Sequence, residues 1–306
     1  MIIRNQEGLQ FLSGLPDESV DLVLTDPPYI TSRDSGMDKW VDHVAEQDAS
    51  DTLLKTVEEW EALSESMDWD KFFGDKKKNL DPLKKNYLKY GSIYGKKYAV
   101  RTNYGKWDSE FTMEDLQLFI NHFYRVLKPG GTCIVFFDLW KITPLKDQLE
   151  NAKFKQIRFI EWLKTNPQPI NSKVNYLTNC REIALLGIKK SKPTFNSSYD
   201  KAVYEYPIQG GKDRFHPTQK NTHMFEELIL KHSNKGDVVL DPFLGSGTTA
   251  AAASATEREF IGCELDEEYY KKADERINNL DEEYYKKADE RITKLLERNN
   301  NYKGSS

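Results

Sequence analysis

Cysteine is scarce, with three in 306 residues. Cys133, Cys180 and Cys263 share no metal-ligand or disulfide spacing, and each falls in a predicted strand. They read as buried thiols of a reducing compartment. Long apolar runs are missing as well. No stretch is long enough to span a membrane, and Met1-Ile2-Ile3-Arg4 does not open a signal peptide. These absences exclude a disulfide scaffold and a membrane span, and imply a cytoplasmic location. An excess of positive charge is also lacking, the net charge being −5. Any phosphate-binding surface must therefore be local. The apolar fraction of 38% still suffices for a core, and the length allows one large or two modest domains.

What the chain does have is concentrated at two places. Val20-Asp21-Leu22-Val23-Leu24-Thr25 reads as a buried strand, which Asp26-Pro27-Pro28-Tyr29 stops abruptly. A carboxylate, free carbonyls on a stiff backbone and an aromatic face are thereby held at a strand tip. That cluster suits acceptance of hydrogens from an exocyclic amine while a planar ring stacks on Tyr29. A plain proline-bounded turn is the bland alternative.

The second place is Val238-Val239-Leu240-Asp241-Pro242-Phe243-Leu244-Gly245-Ser246-Gly247-Thr248-Thr249-Ala250. It reads as strand, glycine loop and alanine-rich helix. Glycines allow a tight turn and close approach of a ligand. The helix N-terminus offers free N–H groups to a nucleotide or a carboxylate. The next strand, Glu259-Phe260-Ile261-Gly262-Cys263, ends in Glu264, where doubly wound folds place the acid that grips a ribose diol.

These residues resemble the amino-methyltransferases that act on DNA bases. That family carries Asp-Pro-Pro-Tyr at its catalytic site and Phe-x-Gly-x-Gly at its S-adenosylmethionine site, matched here by Asp26-Tyr29 and Phe243-Gly247. The catalytic motif comes first, as in the circularly permuted β group. His216-Pro217-Thr218-Gln219-Lys220 is similar to a stretch of that group lying before the cofactor strand. The resemblance covers residues 1–30 and about 107–278. It implies an α/β fold with a Rossmann-like methyltransferase sheet, mostly parallel, with helices on both faces and a long insertion after the catalytic motif. It implies catalytic roles for Asp26, Pro27, Pro28 and Tyr29. It implies cofactor contacts from Glu7, Asp26, Thr218, Lys220, Asp241, Pro242, Phe243, Gly245, Ser246, Gly247, Thr248, Thr249 and Glu264. At Gln6-Glu7 the chain departs from the Gly-Asp pair common in the group.

The remaining segments divide as core 1–30, insertion 31–106, core 107–189, a short polar segment 190–215, cofactor part 216–278, and a tail 279–306. Strand and helix patterns alternate through the core, with a helix over 113–127 and strands over 132–137, 157–163 and 181–188. The insertion is acidic first, then basic and aromatic. Lys76, Lys77, Lys78, Lys96, Lys97 and Arg101, interleaved with tyrosines, suit phosphate contact with base stacking. A solvated helical surface or a dimer face is the alternative. The 190–215 segment occupies the place of target recognition in the β group, and it reads as irregular. Leu265 to Ile277 recurs without change at Leu280 to Ile292. Asn279 stands where the second copy would need Glu264, so the repeat reads as a duplication that lengthens a terminal helix. Residues 299–306 read as disordered.

The resemblance implies methyl transfer from S-adenosylmethionine to adenine N6 of a flipped base. DNA is the implied partner, with a homodimer and a cognate restriction endonuclease as further candidates. Cytosine-N4 methylation shares the plan, but that subgroup more often carries Ser in place of Asp26. A glutamine-N5 methyltransferase would have its cofactor loop before the catalytic motif. A catalytically silent DNA-binding subunit need not bind the cofactor.

Overall fold

The structure is a computed structural model and describes residues 1–30, 55–67, 69–73, 79–90, 93, 111–167, 179–210, 219–280 and 282–303. The chain separates into two compact units, Met1–Ile30 with Lys106–Ser306, and Thr31–Gly105. The described elements begin with β1 (Ile2–Asn5), α1 (Gly8–Ser13) and β2 (Val20–Thr25). The second unit contributes α2 (Val57–Ser66), α3 (Trp69–Phe73) and α4 (Asp81–Tyr90). Then follow α5 (Met113–Val126), β3 (Leu127–Phe137), α6 (Ile142–Asn151), β4 (Lys155–Lys164), β5 (Arg181–Ile188) and β6 (Val203–Tyr206). The chain continues through α7 (Thr222–His232), β7 (Val238–Asp241), α8 (Thr248–Ala255), β8 (Glu259–Glu264), α9 (Glu267–Asn278) and α10 (Glu282–Lys303).

The strands form one sheet in the order β1-β8-β7-β2-β3-β5-β4-β6. Every described pairing is parallel except those of β5, which runs antiparallel to both β3 and β4. Side chains alternate between two cores with the period of a strand. Leu22, Leu24, Ile134 and Phe136 belong to the core that includes Met224 and Phe225 of α7 and Ala250, Ala252 and Ala253 of α8. Val23, Val135, Phe137 and Leu185 belong to the core with Phe11 of α1, Phe119 of α5 and Leu145 of α6. Helices therefore cover both faces. The apolar residues Leu116, Phe119, Ile120 and Phe123 of α5 recur at helical spacing and are all buried. Thr112 and Asp115 close that helix's first turn with a capping box.

Four details differ from the sequence reading. The Lys128-Pro129-Gly130-Gly131 stretch does not separate helix from strand; β3 begins at Leu127, with a register irregularity opposite Val20 and Leu22. Gly130 takes φ 89°, and a Cβ there would lie 2.6 Å from the Lys192 carbonyl oxygen. The 190–215 segment is not wholly irregular, since Val203–Tyr206 forms β6 beside β4. Its four residues, with Tyr204 buried between exposed neighbours, are too short to set a visible period. Lys189, a lysine just before that segment that the sequence leaves looking solvated, is buried and donates to the carbonyls of Arg125 at the end of α5 and Leu127 at the start of β3. Cys180 lies just before β5, whereas Cys133 and Cys263 are buried within β3 and β8.

The repeat also departs from the expected single long helix. Its copies form α9 and α10, and α10 continues to Lys303, past the point where the sequence reading placed disorder. Tyr284 donates to the Ala251 carbonyl of α8, and Arg291 pairs with Glu226 of α7.

The second unit has an aromatic core of its own. Trp60 of α2 is buried, with Trp69 at 6.0 Å and Tyr87 at 5.8 Å between ring centroids. Thr56 and Glu59 cap α2 reciprocally. Lys76, Lys77, Lys78, Lys96, Lys97 and Arg101 lie outside the described residues.

Candidate active site

β2 and β7 are sheet neighbours although far apart in the chain, and β8 lies beside β7. Their parallel direction brings three C-terminal tips together: Asp26 after β2, the glycine loop after β7, and Glu264 at the end of β8. In open parallel sheets, ligands bind at such tips. Thr25 Oγ1 donates to Asp241 Oδ1 at 2.7 Å and ties the first two tips together.

Pro27 and Pro28 are buried and hold the turn after Asp26. Oδ2 of Asp26 pairs with Lys220 Nζ at 2.9 Å. Oδ1 is buried and has no hydrogen-bond partner among the described residues. Burial pushes the Asp26 carboxyl above its usual range, against the pull of the Lys220 ammonium. Burial and the Asp26 charge keep the Tyr29 phenol neutral. The Tyr29 ring meets the edge of Phe137 at 5.9 Å, and its hydroxyl accepts from Lys220 at 3.3 Å.

Lys220 therefore sits on Asp26, although the sequence reading placed it among the cofactor contacts. Its ammonium also donates to Glu182 Oε2 at 2.7 Å. Glu182 Oε1 in turn pairs with Lys164 at 2.6 Å. Burial alone would raise the Glu182 carboxyl, but Lys220 and Lys164 outweigh it and hold it at about 2. Glu182 escaped the sequence reading. The available signal was an acid inside the otherwise apolar run of β5.

The glycine loop turns through two left-handed residues, Gly245 at φ 51° and Gly247 at φ 74°. Gly247 also occupies the N-cap position of α8, which has no side-chain cap. The first turn of that helix so keeps N–H groups without a capping side chain. Glu264 accepts from the Gly245 amide at 2.8 Å and from the Asp266 amide at 3.0 Å. Burial raises its carboxyl and those amides oppose the rise. Each oxygen retains a lone pair for a further donor.

Other residues assigned to the cofactor are engaged within the protein. Asp241 accepts from Thr25, from the Phe243 amide and from Thr249, so it braces the loop; burial pushes its carboxyl up to about 7. Glu7 caps α1 through the Leu9 and Gln10 amides. Ser246 and Thr248 bond each other through their hydroxyls. The Pro242 carbonyl accepts from the Cys263 thiol, and Phe243 packs on Phe119 at 4.5 Å. Thr218 lies outside the described residues.

A mixed sheet with an acid-proline-proline-tyrosine tip beside a glycine loop defines a methyltransferase of the Rossmann-like class. The comparisons with known proteins agree. Residues 20–275 match the model of the N6/N4 DNA methylase family, and the chain belongs to that family. It is 28% identical over 292 residues to the Type II methyltransferase M2.DpnII of Streptococcus pneumoniae, covering 90% of this chain and 89% of that protein. It is 34% identical over 198 residues to M2.LlaDCHI of Lactococcus lactis subsp. cremoris, covering 58% and 73%. Among solved structures, the M1.HpyAVI–SAM complex superposes with a TM-score of 0.56 at 23% identity, over 90% of this chain and 98% of that one. The cytosine-N4-specific PvuII DNA methyltransferase gives 0.58 at 16% identity, over 96% and 92%. At these identities the structural likeness speaks for the fold. No helix among the described residues is long and apolar enough to cross a membrane.

Proposed function

We propose that the chain transfers a methyl group from S-adenosylmethionine to adenine N6 in DNA. The observation that carries this reading is the buried Asp26 Oδ1, which has no hydrogen-bond partner among the described residues and stands at the tip joined to the glycine loop. The residues at the loop fit the cofactor. Gly245 and Gly247 hold a left-handed turn, α8 lacks a side-chain cap, and Glu264 has room for ribose hydroxyls. S-adenosylmethionine, when bound, supplies a methyl group made electrophilic by its sulfonium.

The chain's own residues then act on the base. An exocyclic amine is a poor nucleophile because its lone pair is delocalised into the ring. Asp26 Oδ1 accepts one amine hydrogen and the Pro27 carbonyl accepts the other. The nitrogen becomes more tetrahedral, and its localised lone pair faces the methyl. Tyr29 stacks on the base, which must leave the duplex to reach the tip. Positioning supplies much of the acceleration. The methylated ammonium is acidic enough to lose its proton afterwards, so Asp26 need not take one before attack. The motif order, catalytic before cofactor, is read as a circular permutation that leaves the neighbouring tips in place. A cognate endonuclease, a second copy of the chain and a nucleoid-associated cytoplasmic location complete this reading.

Incubation with DNA and methyl-labelled cofactor, followed by digestion to nucleosides, tests it. Label is expected on N6-methyladenosine. Label on N4-methylcytosine would overturn the choice of base, and unlabelled DNA would overturn the reading as a whole.

A further inference from the structure

The two oxygens of Asp26 have unequal surroundings. Oδ2 is held by Lys220, while Oδ1 is buried and has no hydrogen-bond partner among the described residues. Lys220 has little freedom to let go. Its side chain is 6% exposed, and its ammonium reaches Asp26, Glu182 and the Tyr29 hydroxyl together. It also lies over the Tyr29 and Phe136 rings, at 5.2 Å and 5.7 Å from their centroids. Glu182 is fixed from its far side by Lys164. Four strand or segment ends thus contribute one chain of alternating charge: Lys164 on β4, Glu182 on β5, Lys220 before α7, and Asp26 after β2. Two cations and two anions make the chain neutral, which lessens the cost of burying it.

We infer that Lys220, anchored by Glu182, is a positioning residue that holds Asp26 ionised and turns its free oxygen to the amine of the substrate base. This inference rests on the proposed methyl transfer. An ammonium that engages both carboxylate oxygens would compete with the amine for its acceptor. One that engages only Oδ2 leaves Oδ1 available. A buried carboxylate without its cation takes up a proton, and then offers the amine a weaker acceptor. The titratable groups acting on Asp26 are Lys220 and the Tyr29 hydroxyl, which favour its charge, and Glu182, which opposes it. The neutral Tyr29 phenol lies on the same tip, and Asp241 feels the Asp26 charge from β7.

The signs of the two neighbours differ, and that gives a test a merely structural ion pair would fail. Single-turnover methyl transfer would be followed against pH for the wild type, Lys220→Met, Lys220→Arg and Glu182→Gln, with cofactor affinity measured by calorimetry. Transfer requires ionised Asp26, so it falls as pH drops through the carboxyl's pKa. Removing the Lys220 charge should move this acidic limb to higher pH by about one unit or more. On the acidic limb, below both pKa values, each unit of displacement should lower the rate at a given pH about tenfold. Lys220→Arg should return the limb towards the wild-type position. Glu182→Gln removes the opposing charge and should move the limb to lower pH while slowing transfer at its plateau. Coincident limbs in all four proteins would overturn the inference, as would a Lys220→Met defect lying wholly in cofactor affinity. If Lys220→Met does not fold, the Arg and Gln variants still decide it. Asp26→Asn and the wild type separate the levels: a wild type that leaves DNA unlabelled overturns the methyl-transfer reading, a fully active Asp26→Asn protein overturns the role of Asp26 and this inference with it, and an inactive one with unmoved limbs in the others overturns only this inference.

Discussion

Gly247 takes φ 74° at the N-cap of α8, a backbone region that side-chain-bearing residues avoid. A Cβ there would also sit 3.2 Å from Ile277 Cδ1 and 3.4 Å from Ala273 Cβ. The glycine is thus required by the packing of α9 as well as by its own backbone conformation. Gly247→Ala should cost about 1–2 kcal/mol and should weaken S-adenosylmethionine binding as the loop shifts. Thermal melts with and without cofactor would show both effects. An unchanged melting temperature would contradict the strain, and an unchanged cofactor-induced rise would contradict the loop's role. Asp241, on the other side of the loop, illustrates a different residue-level division. Its two oxygens accept from Thr25, the Phe243 amide and Thr249, so within the protein it braces the loop.

The repeated helices show one sequence used twice in equivalent register. Ala273 of α9 and Ala288 of α10 are both fully buried. Arg276 donates to Thr222 of α7 and to the Ser246 carbonyl in the glycine loop. Arg291, at the same place in the second copy, pairs with Glu226, one turn further along α7. The first copy braces the loop, and the second neutralises a carboxylate with 0% side-chain exposure. A duplication has here supplied a counter-ion for a buried acid. Arg291→Ala leaves Glu226 with His223, at 3.5 Å, as its remaining ion-pair partner among the described residues. The change should cost about 2–3 kcal/mol, less than the ~3–5 kcal/mol of a fully buried pair because Arg291 is partly exposed. Denaturant midpoints would measure it, and Glu226→Gln in the same background should recover part of the loss. A change below about 0.5 kcal/mol, the scale of an ordinary surface substitution, would show that α10 is not docked through this pair.

At the scale of the whole molecule, the sheet gathers residues that the chain disperses. The strand ending at Asp26 and the one ending at Asp241 were legible because each is a local signal: an apolar run closed by prolines or by glycines. The α/β class was legible for the same reason, through periodic runs such as those of α5 and β5. Glu182 and Lys164 were not, because they reach Lys220 only after β5 has paired antiparallel between β3 and β4. No spacing in the sequence announces that insertion. β6 was too short to show alternation, and α10 carries the same residues as α9 in a different setting. The central claim joins the scales: the strand tip carrying Asp26 performs methyl transfer on a DNA base. The most direct measurement is single-turnover transfer by Asp26→Asn, with cofactor affinity determined on the same protein. Asn keeps the shape and removes the negative acceptor, so the rate constant should fall by about a hundredfold or more while S-adenosylmethionine affinity stays within about threefold. Transfer at the wild-type rate would contradict the account.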